Sequence, residues 1–365
     1  MNSSIVRCLK LFVASAPLVF AACATAPKTP ARTAQFAVKQ EVDVKVPAGT
    51  QQLRMWMVLP QTDKTEDISR LKIEAPIEWR ETKDSEGNRM LYLEGNAPLP
   101  ESFKVVQNFQ VERREQTGAI DPAATRPLDE AELKEFAHYL APNQYIVIDD
   151  KIRDLARSIV GAETNPLIIA RKIYDWELVN VDYWVKDPKN HKASPTGSSE
   201  YCLTTKTGNC SDFHSLYAAL ARSRGVPTRM LFGAFLKAEL DGKDEDQSYH
   251  CWVEFYAPKI GWIPLDVAAA DIFNEPIELT PDNETLVRRA TAAGYHGPDA
   301  KKVDYYFGNL EERRVTFTVG RDLTLDPKPA MGVVQALTKA VIEADGKALV
   351  EKTDWTRKLT YTEVH

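Results

Sequence analysis

Apolar and polar positions alternate along two stretches that begin just after residue 35. The apolar positions are Phe36, Val38, Val42, Val44 and Val46 in the first stretch and Leu53, Met55, Met57 and Leu59 in the second. A period of two is typical of strands with one buried face. Strand-like runs at 90–93 and 103–111 extend the pattern. We therefore predict a small N-terminal β-sandwich over residues 36–115.

The period changes to that of helices from about residue 127. Asp129 and Glu132 have the spacing of a capping box. Asp149 stands before a run with helical apolar spacing, and Asn165-Pro166 is a strong helix start. We therefore predict consecutive helices behind the β-sandwich.

The N-terminal residues have the pattern of an export signal. Arg7 and Lys10 carry positive charge, and the run from Leu11 to Ala22 is apolar but too short to span a bilayer. The end of this run, Val19 to Cys23, resembles a bacterial lipobox, with Phe20 where Leu is usual. The resemblance implies cleavage before Cys23 and a lipid on that cysteine. An ordinary secretory signal that is cut near the same place is the alternative.

Either cleavage leads to export. We predict a signal peptide over residues 1–22, a flexible tether rich in Ala, Thr and Pro over residues 23–35, and a periplasmic or outer-membrane lipoprotein of a bacterium. No other stretch approaches the apolar length of a transmembrane helix, so membrane contact is expected only through a lipid on Cys23.

Charge and cysteine content narrow the functional classes. The net charge is −6 and the part after the signal has no basic cluster, so nucleic acid is not an expected partner. Beside Cys23, the exported chain keeps Cys202, Cys210 and Cys251. Three thiols cannot all pair within one chain, so at least one of them stays free or protected in an oxidising compartment.

Cys210 has the sequence context of a reactive thiol. It follows Gly208-Asn209 and begins an apolar helical pattern that stops at 224–227, in Arg-Gly-Val-Pro. Unpaired backbone N–H groups and the helix dipole lower the pKa of a thiol at a helix start, and the same amides can hold an oxyanion. A buried structural cysteine is the alternative, which the helix-start position and Gly208 disfavour.

A thiolate nucleophile needs an imidazole partner, and His250 is the stronger candidate. It lies in a strand-like run, and a turn at 257–261 would fold the next run back beside it, which brings Asp266 close enough to fix its tautomer. His214, four residues after Cys210 on the same helix face, ranks second because only Asp212 is available to orient it. A zinc site from the three cysteines and His214 is disfavoured because the spacings match no ligand pattern.

Four motifs resemble the core of transglutaminase-like domains, in the same order and at compatible spacing. They are G-N-C-S-D-F-H-S-L, R-G-V-P-T-R, Y-H-C-W-V-E-F-Y and G-W-I-P-L-D, which lie between residues 208 and 266. The resemblance implies an α+β, papain-like fold with helices packed on an antiparallel sheet. We predict this catalytic domain over residues 127–330, followed by a C-terminal β extension over 331–365 that packs on the core.

The resemblance also implies a triad, with Cys210 as nucleophile, His250 as general base and acid, and Asp266 as orienting group. The shared chemistry of the family is attack on an amide carbonyl to give a thioester, which water or an amine then resolves. Neither calcium nor any other cofactor is expected, because the chain has no EF-hand loop. The family often adds a side-chain oxyanion donor; Tyr183 or Trp184 could supply it, although aromatic packing is the more ordinary role. Cys202 is either simply buried or a reversible partner of Cys210.

The predicted function is that of a cysteine-dependent amide hydrolase or acyltransferase, with peptidase or amidase activity on a protein or peptide substrate in the cell envelope. The alternative is a catalytically silent transglutaminase-like lipoprotein that binds or scaffolds.

Overall fold

A computed structural model describes residues 30–118, 120–244, 249–292 and 294–365. The predicted signal peptide, the lipid site at Cys23 and most of the tether lie outside these residues. Within the part of the chain that is described, no helix is both long and apolar enough to cross a bilayer.

The described residues form strands of two to 13 residues and α-helices of five to 15 residues. The strands are β1 (Thr33–Lys45), β2 (Gln52–Val58), β3 (Glu66–Glu74), β4 (Trp79–Lys83), β5 (Arg89–Asn96), β6 (Ser102–Arg114), β7 (Gln116–Thr117), β8 (Asp182–Tyr183), β9 (Thr207–Gly208), β10 (Thr228–Phe235), β11 (Tyr249–Ala257), β12 (Gly261–Leu265), β13 (Asn309–Leu310), β14 (Arg314–Val319), β15 (Ala340–Ala344), β16 (Lys347–Ala348) and β17 (Trp355–Val364). The α-helices are α1 (Glu130–Glu135), α2 (Asp150–Val160), α3 (Pro166–Asn180), α4 (Ser199–Thr205), α5 (Cys210–Ser223), α6 (Val267–Asn274), α7 (Glu284–Arg288) and α8 (Ala300–Tyr305).

The N-terminal strands form a β-sandwich, as the alternating pattern predicted. One sheet has the order β17-β1-β6-β3 and the other the order β16-β15-β2-β5-β4. Alternate residues of β1 are buried along its whole length, since a pleated strand turns every second side chain to the core. Phe36 and Val38 pack with residues of β2 and β6 in one apolar cluster, and Val42 and Val44 belong to a second.

The C-terminal residues contribute strands to both sheets of this sandwich. β17 pairs antiparallel with β1 from Gln35↔Val364 to Val44↔Trp355, and β15 pairs with β2. Residues 331–365 were predicted to be an extension that packs on the catalytic core; they supply β17 to one sheet of the sandwich and β15 and β16 to the other. Nothing local in the sequence indicates these pairings, because the partners stand about 300 residues apart.

The predicted helix starts are confirmed. The Asp129 side chain accepts from the backbone of Glu132, and the Glu132 side chain accepts in return, so the capping box at α1 is complete. Asp149 caps α2, and Asn165 caps α3 with Pro166 in its first turn. These caps satisfy amide groups that have no partner inside the helix.

The second core is an antiparallel sheet with helices packed against it, which confirms the α+β class. The sheet order is β12-β11-β10-β14, and α5 packs against β10 and β11. Nearly every residue of α5 is buried, which explains why its sequence is apolar on more than one face. β14 joins this sheet to the sandwich: the backbone N–H of Thr316 donates to Glu66 at 3.1 Å, and Glu66 pairs with the buried Arg113 at 2.7 Å.

Candidate active site

Cys210 is the first residue of α5. Asn209 is the N-cap, and its side chain accepts from the backbone of Ser211 and Asp212. The Asp212 carboxylate accepts in turn from the backbone of Asn209 at 2.9 Å, so a capping box fixes the turn that carries the thiol. A Cβ added to Gly208 would lie 2.3 Å from the Cβ of Asp212, which explains why this turn needs glycine.

Residues 194–198, the segment before α4, are held by the carboxylate of Asp212. Backbone N–H groups of Ser194 and Ser198 donate to Asp212 at 3.0 and 2.8 Å. Arg321 holds this segment from the other side, donating to the carbonyl oxygens of Thr196 and Gly197 at 2.7 Å. Residues 194–198 are therefore a fixed wall beside the helix start.

His250 lies on β11, and the fold of the next strand brings Asp266 to it as predicted. β11 and β12 pair antiparallel with Val253 opposite Leu265, and Asp266 follows directly as the N-cap of α6. His250 Nε2 lies 2.7 Å from Asp266 Oδ2. Phe235 stacks on the His250 ring at a centroid distance of 4.1 Å and limits its rotation.

The Cys210 thiol and the His250 ring interact, and each shifts the pKa of the other. Since Nε2 is engaged by Asp266, Nδ1 is the ring nitrogen left for the sulfur. The predicted residues Cys210, His250 and Asp266 are thus brought together, with only 3 % of Cys210 and 3 % of His250 exposed.

Asp266 is surrounded by donors that the sequence analysis did not identify. Arg314 of β14 approaches Oδ2 with Nη2 at 2.8 Å, and the backbone N–H of Ala269 donates to Oδ1 at 2.9 Å. Arg314 also pairs with Glu311 at 3.0 Å and is fully buried. Burial favours the neutral acid, but the charges of His250 and Arg314 outweigh it and hold the pKa of Asp266 well below its ordinary value.

The charges of the site favour a thiolate and an imidazolium. The Cys251 thiol and His250 lower the pKa of Cys210 well below its ordinary value against the effect of burial. Burial lowers the pKa of His250, yet Asp266 and the Cys210 sulfur raise it above the ordinary value. Each group thus stabilises the charge of the other, the arrangement that activates a thiol for nucleophilic attack.

Tyr183 lies beside the start of α5. Its side chain faces the backbone N–H of Cys210, and its ring packs edge-on against Phe213 at 5.7 Å. Its own backbone N–H donates to the buried Asp271 at 2.9 Å, which anchors β8. Trp184, the other aromatic considered as an oxyanion donor, is half-buried against the core.

The remaining candidates of the sequence lie around the triad. His214 is fully buried, with Nε2 3.4 Å from Asp266 Oδ1, so the carboxylate that orients His250 is also its neighbour. Cys202 lies on α4 near the buried Glu177. Burial of the Cys202 thiol, followed by the charge of Glu177, raises the pKa of Cys202 well above its ordinary value. Among the described residues, no group of three potential His, Cys, Asp or Glu ligands converges as it would around a metal ion.

This arrangement, a buried Cys, His and Asp between a helix start and an antiparallel sheet, defines the papain-like α+β class. The sequence profile of the transglutaminase-like superfamily matches residues 153–267. Residues 153–267 therefore form a transglutaminase-like domain.

Relatives of the whole chain and of this domain are also found. A protein of Haemophilus influenzae, described as uncharacterized, is 28 % identical over 335 residues, which are 85 % of this chain and 86 % of that protein. The uncharacterized protein YebA of Bacillus subtilis is 23 % identical over 160 residues, which are 40 % of this chain and 21 % of YebA. The crystal structure of a candidate cysteine protease from Cytophaga hutchinsonii has a TM-score of 0.55 at 17 % identity and covers 92 % of both chains, a likeness of fold.

Proposed function

We propose that the protein is a cysteine-dependent amide hydrolase or acyltransferase that acts on a protein or peptide in the bacterial cell envelope. The observation that carries the proposal is the position of Cys210 as the first residue of α5, together with the 2.7 Å distance from His250 Nε2 to Asp266 Oδ2. A thiolate held by an imidazolium is the reactive form of such enzymes.

The acylation step uses the groups in these positions. The Cys210 thiolate attacks the amide carbonyl carbon, and the carbonyl oxygen takes the negative charge. The His250 imidazolium then gives its proton to the leaving nitrogen as the C–N bond breaks, which leaves a thioester on Cys210. His250, now neutral, removes a proton from water or from an amine that attacks the thioester, and the acceptor decides between hydrolysis and transfer.

The oxyanion has two donors within the site. The backbone N–H of Cys210 belongs to the unsatisfied first turn of α5, and the Tyr183 side chain lies beside that turn. Burial, before any charge nearby, raises the pKa of Tyr183 well above its ordinary value, so the hydroxyl keeps its proton and can donate. A lost oxyanion donor typically costs about a hundredfold or more in kcat.

Export and a lipid on Cys23 complete the proposal. They are supported by the Arg7 and Lys10 charges, the apolar run that follows and the lipobox-like sequence that ends at Cys23. The test is metabolic labelling of the cells with a fatty acid analogue. Label on the native chain and none on Cys23→Ser is expected; equal label on both would remove the lipid from the proposal.

A catalytically silent binding role is the second candidate, and the burial of the site favours it. With 3 % of Cys210 exposed, a substrate carbonyl reaches the sulfur only after the wall of the site moves. A silent module needs no such movement.

The two candidates differ in whether an acyl-enzyme forms. The full chain is mixed with an envelope peptide extract, quenched in acid, where thioesters persist, and digested with trypsin. We expect the peptide over residues 207–222, which contains Cys210, to gain a mass that hydroxylamine removes, whereas Cys210→Ala acquires none. Equal labelling of the native and variant chains would favour the silent module. The same holds if neither the extract nor a thiol-directed acylating probe labels the native chain.

A further inference from the structure

Cys251 is a second thiol inside the site, and the proposed reaction does not use it. It follows His250 on β11, so the two side chains leave the strand on opposite sides, and that of Cys251 meets Ser211 and His214 of α5. Its Sγ lies 3.5 Å from the Oγ of Ser211, the residue next to Cys210, and the Cys251 and Cys210 thiols shift each other's pKa. Cys251 is fully buried.

Cys251 also has an imidazole of its own. His214 Nδ1 lies 3.5 Å from Cys251 Sγ, and its Nε2 lies 3.4 Å from Asp266 Oδ1. The two oxygens of Asp266 therefore face two imidazoles, Oδ2 the ring of His250 and Oδ1 the ring of His214. Each imidazole is therefore paired with one cysteine. Cys210 of α5 is paired with His250 of β11, and Cys251 of β11 is paired with His214 of α5.

We propose that Cys251 is the resolving cysteine of Cys210: once a hydroperoxide has oxidised Cys210, the two sulfurs form a reversible disulfide that blocks the nucleophile. The inference shares one premise with the proposed function, the reactive thiolate of Cys210, and otherwise goes beyond it.

The first step consumes the peroxide. The Cys210 thiolate attacks one peroxide oxygen, the O–O bond breaks, and the leaving hydroxide takes a proton from the His250 imidazolium to become water. Cys210 is then a sulfenic acid, oxidised by two electrons, and the peroxide is reduced by the same two electrons.

The second step closes the disulfide. Cys251 passes its proton to His214 and attacks the sulfenic sulfur, so that an S–S bond forms and the S–O bond breaks. The departing hydroxide receives the proton from His214 and leaves as water. In total two thiols and one hydrogen peroxide give one disulfide and two waters, and an external dithiol reverses the change by exchange.

The charges of the two thiols match this division of roles. Burial and the neighbouring Cys210 sulfur raise the pKa of the Cys251 thiol well above its ordinary value, so it stays protonated while Cys210 carries the charge. A thiolate reacts with peroxide far faster than a thiol, so Cys210 is oxidised first. The buried site also suits a small oxidant such as hydrogen peroxide.

Tryptic mapping tests the pairing directly, because trypsin places each of the three cysteines in its own peptide. Cys202 falls in residues 193–206, Cys210 in 207–222 and Cys251 in 244–259. The full chain is treated with equimolar hydrogen peroxide, its remaining thiols are alkylated, and the digest is analysed without reductant. We expect peptides 207–222 and 244–259 to appear linked, and dithiothreitol to separate them and restore alkylation of Cys210.

Two matched variants complete the test. In Cys251→Ser the linked peptide is absent and dimedone traps at least tenfold more sulfenic acid on Cys210 than in the native chain, while Cys202→Ser behaves as native. Near-ultraviolet circular dichroism checks that Cys251→Ser is folded, and Cys251→Ala replaces it if it is not.

A link between 193–206 and 207–222 would assign the role to Cys202 and overturn the proposal, as would equal sulfenic acid in native chain and Cys251→Ser. If Cys210 reacts neither with peroxide nor with iodoacetamide, the shared premise fails and the proposed function fails with it. If Cys210 is alkylated but never linked to Cys251, only this inference fails.

Discussion

Replacement of Asp266 by asparagine removes one charge from the centre of the site and almost nothing else. The Asn side chain has nearly the same size, and its oxygen can still accept from the backbone N–H of Ala269, which Asp266 accepts at 2.9 Å. The 2.7 Å contact with His250 and the 2.8 Å contact with Arg314 lose their charge. Burial, the largest influence on the pKa of His250, then acts to lower it, and the Cys210 sulfur is left to oppose it without the charge of Asp266.

The size of the effect follows from the strength of that contact. A hydrogen bond to a charged group contributes about 1.5–3 kcal/mol, and 1.4 kcal/mol corresponds to about one pKa unit. The pKa of His250 should therefore fall by about one to two units, and the thiolate–imidazolium pair should become about ten to a hundred times less populated. In an established triad of another protein class, the same change of an orienting carboxylate reduces kcat by about 10⁴.

The assay is the second-order rate of Cys210 alkylation by iodoacetamide at pH 6, read on peptide 207–222. Asp266→Asn should react ten to a hundred times more slowly than the native chain. Glu254→Gln is the matched control, since Glu254 is a buried carboxylate of the same sheet that pairs with Arg229 at 2.6 Å. It should lose stability but keep the alkylation rate within about twofold. A folded Asp266→Asn variant that is alkylated as fast as the native chain would refute the reasoning.

Three further changes have defined outcomes. Gly208→Ala should displace the start of α5, because the new Cβ would lie 2.3 Å from the Cβ of Asp212; a lower Tm and slower Cys210 alkylation are expected, and an unchanged alkylation rate would show that the turn tolerates the atom. Arg314→Met should leave Asp266 as a buried charge without its guanidinium and cost about 3–5 kcal/mol of the free energy of unfolding in urea, whereas a loss below 1 kcal/mol would mean that the ion pair is replaceable. Asp271→Asn should flatten the dependence of stability on pH. Burial raises the pKa of Asp271 to about 6, so the contribution of this carboxyl to the free energy of unfolding is present at low pH and is lost as the pH rises through about 6. Urea unfolding at pH 4.5 and pH 8 measures the change, and identical pH slopes in variant and native chain would contradict it.

Local pattern predicted the elements that carry the site. The caps at Asp129, Asp149 and Asn165 and the helix start at Cys210 were visible because capping depends on residues three or four positions apart. The pairing of β11 with β12 was visible because a short turn connects them.

Long-range partners were not visible from the sequence. Arg314 reaches Asp266 from β14, 48 positions further along the chain (314 − 266), and its run of charged residues looks like a solvated surface in isolation. The contact of Cys251 with His214 depends on which face of β11 packs on α5, which a strand buried on both sides does not reveal. Spacing along the chain left open whether Cys202 is simply buried or pairs with Cys210, whereas the fold places Cys251 Sγ 3.5 Å from the Oγ of Ser211, the residue next to Cys210.

The most direct test of the reactive Cys210 thiolate is the pH dependence of its alkylation in the native chain and in His250→Gln, with Cys202 as an internal comparator. An ordinary thiol with a pKa of about 8.5 is only about 0.3 % thiolate at pH 6. The pKa of Cys210 lies well below its ordinary value, so peptide 207–222 should be alkylated down to mildly acidic pH. Burial, followed by the charge of Glu177, raises the pKa of Cys202, so peptide 193–206 should not be alkylated there. In His250→Gln the acid-side reactivity of Cys210 should disappear. A native profile that rises only near pH 8.5, or one that His250→Gln leaves unchanged, would contradict the assignment of Cys210 and His250 as the reactive pair.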